Sequence, residues 1–116
     1  MLLLVAVLAA GCGGTAARPG QPLLPHAVGS GWASEADAVA GLLDDGDGCS
    51  AHRRAVSLQR DVIAAVNARQ VPHRLLEPLG SGVNGLVERS SCSSPPPRDA
   101  AALARRFAAW LRQSTR

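Results

Sequence analysis

The chain has 116 residues, a formal net charge of +3 and three cysteines. A chain of this length forms one small domain with a modest core. Its 12 basic residues against 9 acidic ones are too mild an excess to indicate a nucleic-acid-binding protein. Aromatic residues make up only 3% of the chain, so the core must be built mainly from Leu, Val and Ala.

The chain opens with a short apolar run, residues 2–10, followed by Gly11 and Cys12. About nine apolar residues are too few to span a bilayer, which needs roughly 20 helical residues, but they are typical of the core of an export signal. The ending LAAGC has the form of a bacterial lipobox, whose cysteine receives a diacylglycerol group before cleavage. We therefore expect a signal peptide over residues 1–11, lipidation of Cys12 and a location on the extracytoplasmic face of the cell membrane.

Residues 1–11 carry no charge, whereas a typical export signal begins with Lys or Arg. Either the true start codon lies further upstream, so that the basic residues are missing here, or the signal is a weak one. We favour the upstream start codon. The alternative to any signal is an apolar N-terminal helix packed in the core, with Cys12 as a buried thiol. The glycines around Cys12 weigh against that helix, since each costs roughly 1 kcal/mol relative to Ala.

Residues 12–33 are predicted to be a flexible tether, because Gly, Pro, Ala and Thr dominate and large apolar residues are few. Roughly 20 residues of such chain would hold the folded part ~25 Å from its anchor on average. The folded domain is then expected over residues 34–116. Its first helix should begin with Ser34 as N-cap, with Asp37 three residues on, and end at Gly46.

Three more helices are predicted from apolar residues at helical spacing. The second covers residues 50–69. The third covers residues 72–91, where Pro78 and three glycines should kink or loosen it. The fourth begins at residue 97 or 98 and ends at residue 113. Runs of alternating β-branched residues are absent, so no strand is expected. The apolar stripe of the fourth helix consists of Leu103, Phe107, Trp110 and Leu111.

Cys49 and Cys92 remain once Cys12 is assigned to lipid, and exported thiols meet an oxidising environment in which they pair. The second and third helices have similar lengths and a short joint, so they should fold back antiparallel. Cys49 just precedes the first of them and Cys92 just follows the second. We therefore predict a disulfide and an all-α fold: a small helical bundle built on a disulfide-closed antiparallel helical hairpin, preceded by the signal peptide and tether.

Several short motifs occur together in this chain. They are DGDGC at 45–49, VIAAVN at 62–67, VP at 71–72, EPL at 77–79, VN and LV at 83–84 and 86–87, the second Cys92, and AWL at 109–111. In this combination the chain resembles small actinobacterial-type lipoproteins with a two-cysteine helical hairpin. The resemblance implies membrane anchoring and a helical fold. It supplies no catalytic residue, because that group has no assigned activity.

Two motifs point weakly to ligands. The segment GSGVNG at 80–85 matches the dinucleotide pattern GxGxxG, but Pro78 rules out a preceding strand and no βαβ unit follows. Close packing of two helices is the better interpretation. Asp44, Asp45 and Asp47 could attract calcium, yet the loop lacks the Gly and Glu of an EF-hand. We expect these acids to favour the positive N-terminal end of the second helix instead.

No catalytic or metal site is expected. His26, His52 and His73 follow no recognised ligand spacing, and Cys49 near His52 is better explained as half of the disulfide. We therefore predict that the protein is not an enzyme and needs no cofactor or metal.

The last helix carries a basic face, and Arg98, Arg105, Arg106 and Arg112 form a possible membrane or partner surface. An arginine-rich face opposite an apolar stripe is typical both of helices that lie on anionic membranes and of helices that pack in a bundle. We favour bundle packing. The predicted function is then a non-enzymatic cell-envelope lipoprotein that presents a helical surface to an envelope protein or polymer. The alternative is a peripheral membrane-active or regulatory element that acts through the C-terminal helix.

Overall fold

The computed structural model describes residues 21–92 and 95–116. The predicted signal peptide, the lipidation of Cys12 and the first part of the tether lie outside these residues. The described chain forms four α-helices, α1 (His26–Asp44), α2 (Gly48–Asn67), α3 (Leu76–Arg89) and α4 (Ala100–Gln113), with a 3-10 turn (His73–Leu75) before α3. Within the described ranges there is no strand, only an isolated bridge between Leu24 and Thr115. The predicted all-α fold is confirmed.

The first helix begins earlier than the sequence indicates. Its N-cap is Pro25, and Ser34, the predicted N-cap, lies inside α1. Trp32 and Ala33, which were assigned to the tether, are buried in the core. The prediction of a tether reaching residue 33 is therefore wrong for residues 26–33. The capping motif at Ser34 and Asp37 was misleading. Ser and Asp are also tolerated inside a helix, on its partly exposed side, when Ala and Gly form the side that packs.

The third helix is more regular than predicted. It begins at Leu76 and runs without interruption to Arg89, after the short 3-10 turn. Pro78 therefore lies in the first turn of α3, where a missing backbone N–H removes no hydrogen bond within the helix. The helix continues through Pro78 and the three glycines, where the sequence predicted a kink or a loosely held segment.

The four helices form a closed ring of neighbours. α1 contacts α2 and α4, and α3 also contacts α2 and α4, whereas the diagonal pairs do not touch. Short connections between successive helices give an up-and-down bundle. The pair α1 and α4 makes the most extensive contact, and α3 and α4 make the least. The weak contact between α3 and α4 leaves an open seam between these two helices.

The core is assembled from small and aliphatic side chains. Leu58, Leu79, Leu86 and Leu111 are at most 1% exposed, and they pack among alanines from α1, α2 and α4. Alanines bring helix backbones close together, which compensates for the scarcity of aromatic residues. Gly82 serves the same end in α3, because the ring of Phe107 lies directly against its Cα.

A disulfide joins Cys49, in the first turn of α2, to Cys92, shortly after α3, across 43 residues of sequence. The two Cα atoms lie 4.1 Å apart. The bond closes the open end of the α2–α3 hairpin, and the predicted pairing is confirmed.

The two ends of the described chain are fastened to each other. The backbone N–H of Leu24 donates to the carbonyl of Ser114 at 2.8 Å, and that of Arg116 donates to the carbonyl of Leu24 at 3.1 Å. Gly29 makes room for this contact, because the Thr115 side chain occupies the space where a Cβ would stand. The segment before α1 is therefore part of the folded domain.

Candidate functional site

The predicted basic surface of α4 is divided in the structure. Arg105 pairs with Asp44, and Arg112 pairs with Asp37 at 2.5 Å, so both arginines fasten α4 to α1. The hydrogen bond to Asp44 raises the pKa of the exposed Arg105 guanidinium. Arg98 and Arg106 form no ion pair among the described residues. All four arginines are exposed, but two of them have their charge offset by an acid of α1.

The apolar stripe of α4 faces the bundle. Phe107 and Leu111 are buried, and Leu103 and Trp110 are half-buried. The preference for bundle packing over an exposed membrane-binding stripe is borne out for Phe107 and Leu111. The part of the stripe that remains accessible, Leu103 and Trp110, lies on the side of α4 that faces the open seam.

A groove of about 380 Å³ lies along this seam between α3 and α4. Phe107 and Trp110 form one wall, with ring centroids 6.1 Å apart and planes only 10° from parallel. Glu77, Ser81 and Arg106 also line the groove. A stacked aromatic pair beside one carboxylate, one hydroxyl and one guanidinium can take a ligand with both apolar and polar faces.

A second groove, of about 310 Å³, follows the seam between α2 and α3. Ile63, which is 51% exposed, borders it together with Val66, Leu76 and Gly80. A hydrogen bond of 2.8 Å from Gln59 to Asn84 crosses the seam. An exposed apolar side chain at the edge of a groove is suited to contact with another protein.

The acidic cluster before α2 has structural tasks. The carboxylate of Asp47 accepts a hydrogen bond from the backbone N–H of Ser50 at 3.1 Å and so caps α2. This hydrogen bond lowers the pKa of Asp47. Asp44 pairs with Arg105. Within residues 21–92 and 95–116, no three His, Cys, Asp or Glu side chains are grouped to hold a metal ion.

Replacing Asp47 with Ala is expected to lower the melting temperature by about 5 °C, because α2 loses its only side-chain cap. Folding lowers the pKa of Asp47 below its ordinary 3.8, so the stabilisation is present above that pH and is lost as the pH falls through the lower, folded-state value. Thermal unfolding of both proteins from neutral pH to about pH 2 should show the difference disappearing in acid.

The control is Ser34→Ala, which removes the cap that the sequence suggested. Ser34 lies inside α1, and Ala is the better helix former, so we expect a change of no more than about 2 °C. If S34A destabilised the protein as much as D47A does, α1 would have to begin at Ser34 after all.

The glycine motif at 80–85 lies inside α3 rather than between a strand and a helix. Its backbone N–H groups are therefore engaged in the helix and do not form a phosphate cradle. The prediction that these glycines allow close helix packing is confirmed only for Gly82, because Gly80 and Gly85 have open space where a Cβ would stand. The motif thus contributes one contact, with Phe107, and part of a groove.

The three histidines occupy separate places. His26 lies at the start of α1, with Nδ1 3.1 Å from the backbone oxygen of Arg116. His52 lies in α2 and His73 in the 3-10 turn before α3. The Nδ1 atom of His52 is buried without a hydrogen-bond partner among the described residues, although the ring as a whole is only partly buried. The histidines do not form a shared site.

Sequence reasoning missed both grooves and the clasp between Leu24 and the C-terminal residues. Ile63 offered a signal, because it is a large apolar residue that falls outside the stripe of the second helix. The α3–α4 groove offered no such signal, since it arises from unequal spacing of packed helices.

No described helix has the length and apolar character that crossing a bilayer requires. Comparison of the chain with known protein families, curated proteins and solved structures finds no match.

Proposed function

We propose that this protein is a non-enzymatic cell-envelope lipoprotein, anchored through Cys12, that presents a small helical surface to an envelope protein or polymer. The observation that carries the proposal is the use of the cysteines. Cys49 and Cys92 form a disulfide, which persists in oxidising compartments, and Cys12 stands apart from them at the end of a lipobox. The resemblance to small actinobacterial-type lipoproteins points to the same location.

The α3–α4 groove is the surface that we assign to binding. Trp110 and Leu103 are half-buried there, and the Arg106 guanidinium has no ionic partner within the described part of the chain. Aromatic and arginine side chains contribute most of the binding energy in many protein interfaces. The described grooves are open and hold no convergent set of nucleophile, base and oxyanion donors, which favours binding over catalysis.

The alternative, a membrane-active C-terminal helix, finds less support. An interfacial helix must turn its apolar face to the acyl chains, but Phe107 and Leu111 of α4 are engaged in the core. Arg105 and Arg112 are held by acids of α1. Freeing α4 for the bilayer would break its extensive contact with α1, so we rank the anchored bundle first.

The test is the intact mass of the protein after extraction from bacterial membranes, expressed with its natural upstream sequence. We expect cleavage before Cys12, the added mass of acyl chains, and a further gain of two hydrogen atoms on reduction. Retention of Met1 together with three free thiols would overturn the anchor, the export and the envelope function at once.

The matched control is Cys12→Ala, which removes the acylated thiol and leaves the bundle intact. This variant should lose the acyl mass while keeping the mass gain on reduction. Acyl mass retained on C12A would show that Cys12 is not the lipidated residue.

A further inference from the structure

Three segments meet at one end of the bundle. The guanidinium of Arg74 donates two hydrogen bonds, of 2.9 and 3.1 Å, to the carbonyl of Pro22. The neighbouring Leu24 bonds to Ser114 and Arg116. We call this the basic end and define it as residues 21–26, 67–74 and 113–116. The chain leads from the predicted anchor into the bundle here.

The charge of the bundle is unevenly distributed along its length. The basic end holds Arg69, Arg74 and Arg116, and the nearest acidic residue along the chain is Glu77, in the first turn of α3. Arg69 and Arg116 are exposed, and neither forms an ion pair within residues 21–92 and 95–116. The opposite end, with the disulfide, is close to neutral. Its acidic residues Asp44, Asp45, Asp47, Glu88 and Asp99 are nearly balanced by Arg53, Arg89, Arg98 and Arg105, of which Arg89 pairs with Asp99 and Arg105 with Asp44.

The anchor holds the basic end near the membrane without fixing which side of the bundle faces it. Pro22 follows Cys12 by ten positions, and a chain of that length reaches at most about 36 Å when fully extended. The longest helix has 20 residues, or about 30 Å, so the tether alone would let the bundle lie at many angles. The arginines of the basic end supply the missing orientation wherever the membrane surface beside the anchor exposes anionic lipid headgroups, because Lys and Arg side chains are attracted to such a surface.

We propose that the basic end of the bundle rests on anionic lipid headgroups through Arg69, Arg74 and Arg116, so that the disulfide end points away from the membrane. This inference depends on the proposed lipid anchoring for its biological setting. Its physical content, preference of one end for an anionic bilayer, can be tested without the anchor. Each basic residue near such a surface strengthens partitioning by about fivefold.

The experiment uses the chain from residue 12 with Cys12→Ser. Every core residue lies between Leu24 and Leu111, so this chain keeps the whole bundle. Binding is measured by co-sedimentation with vesicles that contain phosphatidylglycerol and with vesicles of phosphatidylcholine alone. We expect binding only to the anionic vesicles, with an affinity that falls as salt is raised.

Two double variants distinguish an effect of the basic end on binding from an effect of the net charge of the protein. Arg69→Asn with Arg116→Gln removes two charges from the basic end and should weaken binding by about 25-fold. Asn is chosen because Arg69 has a positive φ of 57°, which Asn tolerates well. Arg60→Gln with Arg53→Gln removes two charges elsewhere and should change binding less than about threefold.

Equal weakening by both double variants would reduce the effect to net charge and overturn the proposal, as would absence of binding to anionic vesicles. Displacement by inorganic phosphate at constant ionic strength would point to a free-anion site and also overturn it. Failure of lipidation in the intact-mass experiment would remove the anchor but would not alter these vesicle results, so the two proposals fail separately.

Discussion

Replacing Cys49 and Cys92 with Ser is expected to lower the free energy of unfolding by about 4 kcal/mol. The disulfide closes 43 residues of sequence, and a cross-link over a loop of that size removes about this much conformational freedom from the unfolded chain. Small domains are stable by only about 5–10 kcal/mol, so the loss takes up a large part of the total. The melting temperature should fall by roughly 15–30 °C.

Denaturant unfolding of the C49S/C92S variant and of the parent protein measures this difference. The matched control is the parent protein in reductant, which should unfold at nearly the same denaturant concentration as the variant. Both cysteines are exposed, so loss of side-chain burial contributes little. A variant as stable as the oxidised parent would mean that the unfolded chain is already restricted near these residues, and that the disulfide does not support the bundle.

Gly82→Ala should destabilise the protein by about 1–3 kcal/mol, the usual cost of overpacking a core. An added Cβ would stand 2.5 and 2.6 Å from two carbons of the Phe107 ring. That ring is only 6% exposed and stacks on Trp110, so it has little space into which it can move. The same shift would change the aromatic wall of the α3–α4 groove, which near-ultraviolet circular dichroism should report.

Gly80→Ala is the matched control, because it makes the same chemical change two residues earlier in α3. An added Cβ at Gly80 meets nothing within 4 Å, so the gain in helix propensity, up to about 1 kcal/mol, should appear as added stability. Opposite signs for the two variants are the expected result in equilibrium unfolding. Equal stabilisation by both variants would show that Phe107 is not held against α3. If Phe107 is held there, the smaller side chain of Phe107→Leu should restore part of the stability that G82A loses.

The helical fold and its disulfide follow from local patterns in the sequence. The apolar stripe of α2 and the positions of Cys49 and Cys92 are set within single helices and their ends, so they can be read before any tertiary contact is known. The start of α1 cannot be read in this way. Residues 26–33 are rich in Gly and Ala, and they become helical because Trp32 and Ala33 are buried against other helices.

The candidate surfaces were predictable only in part. The basic face of α4 is visible in the sequence. The pairing of two of its arginines with acids of α1 is not visible, because Asp37 lies 75 residues from Arg112 and Asp44 lies 61 residues from Arg105. The α3–α4 groove depends on how far two helices stand apart, which periodicity does not specify. Gly82 shows the limit most clearly, since one glycine of the motif at 80–85 touches an aromatic ring while Gly80 faces open space.

The clasp between the two ends of the described chain also determines how the domain would respond to mechanical load. Tension on the chain ahead of Gln21 arrives first at Pro22, whose carbonyl is held by Arg74, and then at Leu24, whose two backbone hydrogen bonds join it to Ser114 and Arg116. Pulling along the paired segments loads these bonds together, in shear, and divides the force between α1 and α4. If the chain is anchored through Cys12 as proposed, the clasp protects the domain against unravelling from its first helix.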